Sequence, residues 1–302
     1  MTKKSQYSIV DPAISRSWLL VNGARPELFD KAAATRADQI VLDIEDAVDP
    51  SHKLRALDDV ANWLDNGGSA WVRVNDRNTE FWQADLDRLR SCSNLRGVML
   101  AKTESASHVE DTYAALGGRF PVLALVETAL GIEEVTNIAR ARGAFRLAFG
   151  SGDYRRDTGT AADDMAMLYP RSRLVTASRI GRLPGPIDGP TITTSYSQLR
   201  VASEHTVVLG LTGKLCVDPG QIPVINETIC PTQADVTWAR DFLADFEARG
   251  RVIRDGSDMP RLGRAKDRQA RPRIRHRADL TSDLEQPGGT RAVNNFGTAM
   301  CI

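Results

Sequence analysis

The feature that most constrains this chain is one alternation repeated eight times: a short, nearly continuous apolar run, then a longer amphipathic stretch. The runs are SWLLV (17–21), QIVLDI (39–44), AWVRVN (70–75), GVMLA (97–101), PVLALVE (121–127), FRLAFG (145–150), GPID (185–188) and GKLCV (213–217). Strand-length runs separated by helix-length segments predict βαβ units and a parallel sheet. Runs without a polar alternate face suit strands covered by helices. The helical segments are read at 26–35, 53–66, 80–90, 105–116, 131–141, 163–180 and 195–209. Eight repeats predict an α/β fold closed as a (β/α)8 TIM barrel rather than an open doubly wound sheet. The 302 residues, 42% of them hydrophobic, suffice for one such barrel and an extension. The barrel is read over 1–228 and a C-terminal helical lid extension over 229–268, with 219–250 read as a loop and one amphipathic helix. The tail 269–302, basic and then rich in Gly, Asn and Thr, is expected to be poorly ordered.

Charged residues recur where the apolar runs end. Glu45 and Asp46 follow the second run, Arg73 and Asn75 end the third, and Lys102 and Glu104 follow the fourth. Glu127 ends the fifth, Asp153 follows the sixth, Asp188 ends the seventh and Asp218 follows the eighth. In a barrel these C-terminal strand ends open on one face, where active sites sit.

Glu127 and Asp153 form the candidate metal pair, because two carboxylates from adjacent strands, with Gly131 and Gly152 allowing close approach, suit a hard divalent ion. The rival structural reading makes Glu127 a helix cap and Asp153 a turn residue. Arg73 lies inside an otherwise apolar strand, and a buried guanidinium needs an anionic partner. A substrate carboxylate or a developing enolate would serve, held by a bidentate fork, as would a structural pair with Asp43 or Glu45. The DIED segment, 43–46, crowds three carboxylates and so raises at least one pKa, with Asp46 expected to cap the next helix.

Composition excludes other classes. Lys+Arg and Asp+Glu both number 39, so nothing global points to nucleic acid or an anionic membrane. The four Cys are scattered without CxxC, and the four His show neither HxxxH nor HExxH, so no thiolate or zincin zinc site is signalled. GSGDYR lacks the third glycine of a dinucleotide loop, GLTGK lacks Walker spacing, and no GxSxG occurs. The N-terminal segment has no apolar core after its lysines and no run of about 18 apolar residues exists, which predicts a cytoplasmic protein without a membrane span.

Together, SRSWLLVNGARPELFDKAAATRADQIVLDIEDAV, WVRVN, MLAKTES, ALVETALGI, FGSGDY, PIDGP and GKLCVDPGQIPVIN resemble, in order, the citrate lyase β-subunit-like proteins of the HpcH/HpaI aldolase superfamily. The resemblance runs from about Arg16 to Arg264. It implies a TIM barrel with a C-terminal lid capping a neighbouring subunit, in a homotrimer or hexamer. It also implies Mg2+-dependent (or Mn2+-dependent) cleavage or formation of citryl-, malyl-, citramalyl- or related β-hydroxyacyl-CoA esters, with coenzyme A part of the substrate. The metal carboxylates fall on Glu127 and Asp153, the substrate arginine on Arg73, the acid after the second strand on Glu45, and the lid aspartate on Asp258. Arg25 and Lys53 become candidates for CoA contacts, with Lys102 added on the substrate side. Asn22 and Ala101 stand where that family has proline, and the tail past about Arg268 does not resemble its closing helix. Rival readings on the same residues are a CoA-independent pyruvate aldolase, a thioesterase, and a non-catalytic subunit of a lyase complex.

Overall fold

A computed structural model describes residues 10–270, and the chain forms the expected barrel. Its strands are β1 (Ser17–Asn22), β2 (Gln39–Asp43), β3 (Ala70–Val74), β4 (Leu95–Leu100), β5 (Val122–Val126), β6 (Ala144–Phe149), β7 (Ile187–Asp188) and β8 (Gly213–Cys216). All pair in parallel and in chain order, and β1 closes on β8. The seventh strand has only two residues because Pro186 and Pro190, which cannot donate to a ladder, bracket it. Around the barrel lie α1 (Phe29–Ala33), α2 (Lys53–Asp65), α3 (Phe81–Leu89), α4 (Ala106–Ala115), α5 (Ala129–Arg140), α6 (Ser151–Thr158), α7 (Leu168–Ile180), α8 (Tyr196–Val208) and α9 (Ile222–Ile229). The helix read over 163–180 is therefore shorter, and α6 stands where the rival structural reading placed a turn.

Side-chain alternation along the strands divides the core in two. Trp18, Val41, Trp71, Met99, Leu123, Leu125, Ala148, Ile187 and Leu215 fill the barrel, while the larger cluster lies between strands and helices. Trp71 meets Trp18 edge-on at 5.4 Å and stacks on Phe145 at 5.6 Å between ring centroids. Gly97 makes room for it, since a Cβ there would come within 2.4 Å of the Trp71 ring. Arg146 closes the floor, with Nε on Gly185 O at 2.6 Å, Nη1 on Pro12 O and Ser15 O at 2.9 Å each, and Nη2 on Thr212 Oγ1 at 2.8 Å.

Asp188, read from sequence as a rim residue, instead points outward, because its neighbour Ile187 takes the inward position. There it accepts from Arg171 Nε of α7 at 2.9 Å, Thr206 Oγ1 of α8 at 2.7 Å and Lys214 Nζ of β8 at 3.1 Å. Asp188, Lys214 and Thr206 are all within 1% of full burial. Removing one member of such a set strands the others without compensation. Asp188→Ala should cost roughly 3–5 kcal/mol in urea unfolding while the folded fraction keeps its rim geometry.

Past α9 the chain forms a helical hairpin, α10 (Gln233–Ala248) and α11 (Asp258–Ala270), whose two members pack chiefly on each other. The 222–248 segment thus holds two helices, not the single one expected. Of the tail read over 269–302, two residues end α11, and 271–302 lie outside the described residues. Among the described residues no helix is long and apolar enough to cross a membrane.

Candidate active site at the barrel rim

Glu127 directly follows β5, two residues past inward-facing Leu125, and so continues the inward face. It does not cap the following helix. Thr128 does, its Oγ1 accepting from Gly131 N at 3.1 Å, which leaves the Glu127 carboxyl free to turn into the barrel. Its Oε1 accepts from Lys102 N at 2.8 Å. Its Oε2 lies over Gly150, where a Cβ would come within 2.1 Å; Gly131 is also closely packed, a Cβ there coming within 2.7 Å of Thr103 O, whereas nothing lies within 4 Å of a Cβ at Gly152. The residue is 1% exposed. Burial pushes the carboxyl up to about 8; Arg73 holds it down, and the Asp153 charge raises it further. Asp153 sits in the first turn of α6, 20% exposed in its side chain, with Oδ1 2.9 Å from Arg156 Nη2. It is a helix residue, not a turn residue, and its charge reaches Glu127.

Arg73, two residues past inward-facing Trp71, forks onto Asp43 on the neighbouring strand: Nε to Oδ1 at 2.8 Å and Nη2 to Oδ2 at 2.5 Å. Its Nη1 stands 3.4 Å from Glu45 Oε2. The structure bears out the structural-pair reading: Asp43 anchors the guanidinium, and the remaining edge faces Glu45. Burial, opposed by Arg73 and Lys102, raises the Glu45 pKa. Lys102 follows β4 with φ +44, a left-handed conformation uncommon for a side chain with a Cβ. Its amine pairs with Glu45 and lies 3.3 Å from Asp46, while its own N–H holds Glu127. Lys102 thus links the acid after β2 to the acid after β5. No sequence signal separated that role from substrate binding.

Other expected residues lie elsewhere. Asp46 pairs with Lys102, and the cap ahead of α2 falls to Asp49, which accepts from Ser51 N at 2.9 Å. Asp218 caps its own short turn through Gly220 N at 2.8 Å. Glu104 accepts from Thr128 Oγ1 at 2.8 Å. Lys53, a candidate for a CoA contact, is 9% exposed. Its buried amine is taken up by Ile44 O at 3.1 Å, Glu45 O at 2.7 Å and Asn75 Oδ1 at 2.7 Å, three acceptors for three protons. Arg25 is half exposed and paired with Glu27. Asn22, where proline was expected, ties the first loop to the second by donating Nδ2–H to Ala47 O at 2.7 Å. Asp258 begins α11 and is 2% exposed, accepting from Arg249 Nη1 at 2.6 Å and Arg254 N at 2.8 Å. Within one chain it belongs to the hairpin rather than to the rim cluster.

The donor set fits a hard divalent cation. Glu127 is a buried carboxylate whose charge Arg73 compensates only in part, next to a second carboxylate. No group of three or more His, Cys, Asp or Glu residues gathers as metal ligands among the described residues. Water and substrate oxygens would therefore complete the shell, as Mg2+ prefers. With the closed barrel, these residues form one charged cluster at the C-terminal strand ends, the face on which (β/α)8 proteins carry their sites.

Comparison with known proteins gives the family. Residues 16–219 match the model of the HpcH/HpaI aldolase/citrate lyase family, and 234–278 match that of the HpcH/HpaI aldolase C-terminal domain. The chain belongs to the HpcH/HpaI aldolase/citrate lyase family, and the homologues found for it are lyases. The C-terminal match runs past residue 268, so the family likeness reaches further into the tail than the motifs suggested. L-malyl-CoA/beta-methylmalyl-CoA lyase of Cereibacter sphaeroides is 30% identical over 270 residues, covering 78% of this chain and 85% of that protein. A citrate lyase subunit beta-like protein of Deinococcus radiodurans is 29% identical over 245 residues, covering 77% and 86%. Among solved structures, CitE from Mycobacterium tuberculosis in complex with magnesium, acetoacetate and coenzyme A aligns with TM-score 0.71 and 27% identity, over 86% of this chain and 98% of that one.

Proposed function

We propose that this chain is a Mg2+-dependent CoA-ester lyase that reversibly cleaves a C–C bond in a β-hydroxyacyl-CoA such as citryl-, malyl- or citramalyl-CoA, giving an acyl-CoA and an oxo acid. The observation that carries the reading is the buried Glu127 carboxyl beside Asp153, facing an arginine already forked onto Asp43. Glu127 and Asp153 would hold Mg2+ (Mn2+ could replace it), which supplies Lewis acidity toward substrate oxygens. Arg73 offsets charge developing on the acyl oxygen with the guanidinium edge that Asp43 leaves open. Glu45, partly neutralised by Arg73 and Lys102, accepts the hydroxyl proton. Asp258 of a neighbouring chain is the alternative acceptor and would first have to part from Arg249. Lys102 orients Glu45, and Arg25, with only an exposed partner, remains the candidate for a CoA contact. The remaining features of the reading are a cytoplasmic homotrimer or hexamer in which the 229–268 extension, which carries the hairpin, closes a neighbour's rim. The exposed apolar residues Val252, Ile253 and Met259 on that hairpin support it.

The test is turnover of citryl-, malyl- and citramalyl-CoA by the purified full chain with Mg2+, read as release of oxo acid. Undiminished cleavage in excess chelator would overturn the metal reading. Faster cleavage of the free hydroxy acids would replace it with a CoA-independent aldolase.

Metal binding should itself depend on pH. The Glu127 proton must leave for Mg2+ to bind, so affinity rises with pH and levels off above about 8. Calorimetry should show the dissociation constant weakening by roughly tenfold per pH unit below that point. A pH-independent constant between 6 and 8 would contradict the assignment.

A further inference from the structure

Behind the acidic loop that follows β2 lies a buried polar set that the chemistry above leaves unused. Lys53 of α2 is 9% exposed, Asn75 at the end of β3 is 2% exposed and Asp85 of α3 is 3% exposed. The Lys53 amine donates to two consecutive carbonyls of the loop, Ile44 O and Glu45 O, and to Asn75 Oδ1. Asn75 Nδ2 donates to Asp85 Oδ2 at 2.7 Å and to Ile44 O at 3.2 Å, and Asn75 N donates to the same Asp85 oxygen at 3.0 Å. An ammonium only donates and a carboxylate only accepts, so the amide orientation of Asn75 is determined by its two neighbours. The Phe81 ring centroid lies 5.5 Å from the amine.

Consecutive carbonyls in extended backbone point to opposite sides, so one amine reaching both specifies the bend between Ile44 and Glu45. That bend, together with Glu45 N donating to Asp43 Oδ1 at 2.9 Å and Asp46 N donating to Glu45 Oε2 at 2.7 Å, sets where the Glu45 carboxylate goes. From there it meets Arg73 and Lys102. Among the described residues the two carbonyls are otherwise held by Asn75 Nδ2 on Ile44 O and Val48 N on Glu45 O at 3.1 Å.

We propose that Lys53, Asn75 and Asp85 are positioning residues: a buried relay from α3 through the β3 end to α2 that aims Glu45 at the reaction centre. The proposal rests on the reading of Glu45 as the proton acceptor. Lys53 acts through the backbone and touches no substrate. A strap of this kind sets the geometry of proton transfer without adding binding energy, so its loss lowers kcat more than it changes KM.

The variants are Lys53→Met, Asp85→Ala and Asp85→Asn in the full chain, with Asp188→Ala as a comparison that weakens the fold away from the rim. Lys53→Met and Asp85→Ala should lower kcat by roughly 10²-fold, the scale of a misplacement of about 1 Å. KM should stay within about threefold. Asp85→Asn, which keeps an acceptor for Asn75, should recover most of the loss. Asp188→Ala should lower stability with kcat unchanged. Amide hydrogen exchange needs no substrate: at Glu45 and Val48 it should speed by at least about tenfold in Lys53→Met and not in Asp188→Ala. If kcat in Lys53→Met falls only as far as folded protein is lost, or exchange at those amides is unchanged, the relay is overturned. Absence of lyase turnover in the wild type would overturn the function instead, and leave the exchange result to judge the relay.

Discussion

Glu127→Gln should abolish turnover while leaving the fold at least as stable as before. The loss in kcat/KM is expected on the order of 10³-fold or more, because a metal contributes several kcal/mol to the reacting oxygens and each 1.36 kcal/mol is tenfold. The stability result follows from the sign of the pKa shift. The folded carboxyl titrates near 8, above its ordinary 4.5, so the native state binds its proton more tightly than the unfolded chain does. Without metal, the buried charge therefore costs stability increasingly as pH rises from 4.5 toward 8, and fully above 8. A neutral glutamine of the same shape escapes that cost. In urea titrations at pH 8.5 with chelator, the variant should unfold at the same denaturant concentration as the wild type or at a higher one. Added Mg2+ should then stabilise the wild type and not the variant. Equal stabilisation of both would remove Glu127 from the metal site, whatever the kinetics.

Arg73→Lys should be the second large effect, and it should damage both activity and stability. Lysine keeps the charge but not the planar fork that spans Asp43 Oδ1 and Oδ2 and still presents an edge to Glu45. Loss of one preorganised donor at a developing charge costs about 10²–10³-fold in kcat. Asp43, 2% exposed, loses half of its pairing, and stability should fall by a few kcal/mol, within the roughly 3–5 kcal/mol of a buried pair broken outright. Thermal unfolding followed by circular dichroism, together with kcat at saturating substrate, measures the two separately. A variant that melts like the wild type would mean that Asp43 does not depend on the fork.

Several site residues were legible because barrel geometry turns strand ends into a single surface. Glu127, Arg73 and Glu45 could be named from their places after apolar runs, and each lies at the rim. The same rule failed for Asp188, whose strand is too short for its side-chain parity to be read beforehand. Asp188 serves the helical layer instead. The burial of Lys53 was not legible: nothing local marks a lysine early in a helix as buried, and only packing shows its amine turned back under the β2 loop. The comparison of Arg73 with Arg146 is the most instructive. Each is an arginine in an otherwise apolar strand, and each faces inward. Arg73 lies near the end of its strand and Arg146 near the start, so one reaches the rim and the other closes the floor through backbone carbonyls.

The period of apolar runs, their length and their number determined the parallel closed barrel, because strands buried on both faces can be satisfied only by helices outside and one another inside. The order of motifs along the chain carried the family. Which charged groups meet was decided only in three dimensions. Electrostatic pairing in a buried site depends on parity, depth along the strand and a few tenths of an ångström of clearance, as at Gly150 beneath Glu127. None of these quantities is local in the sequence.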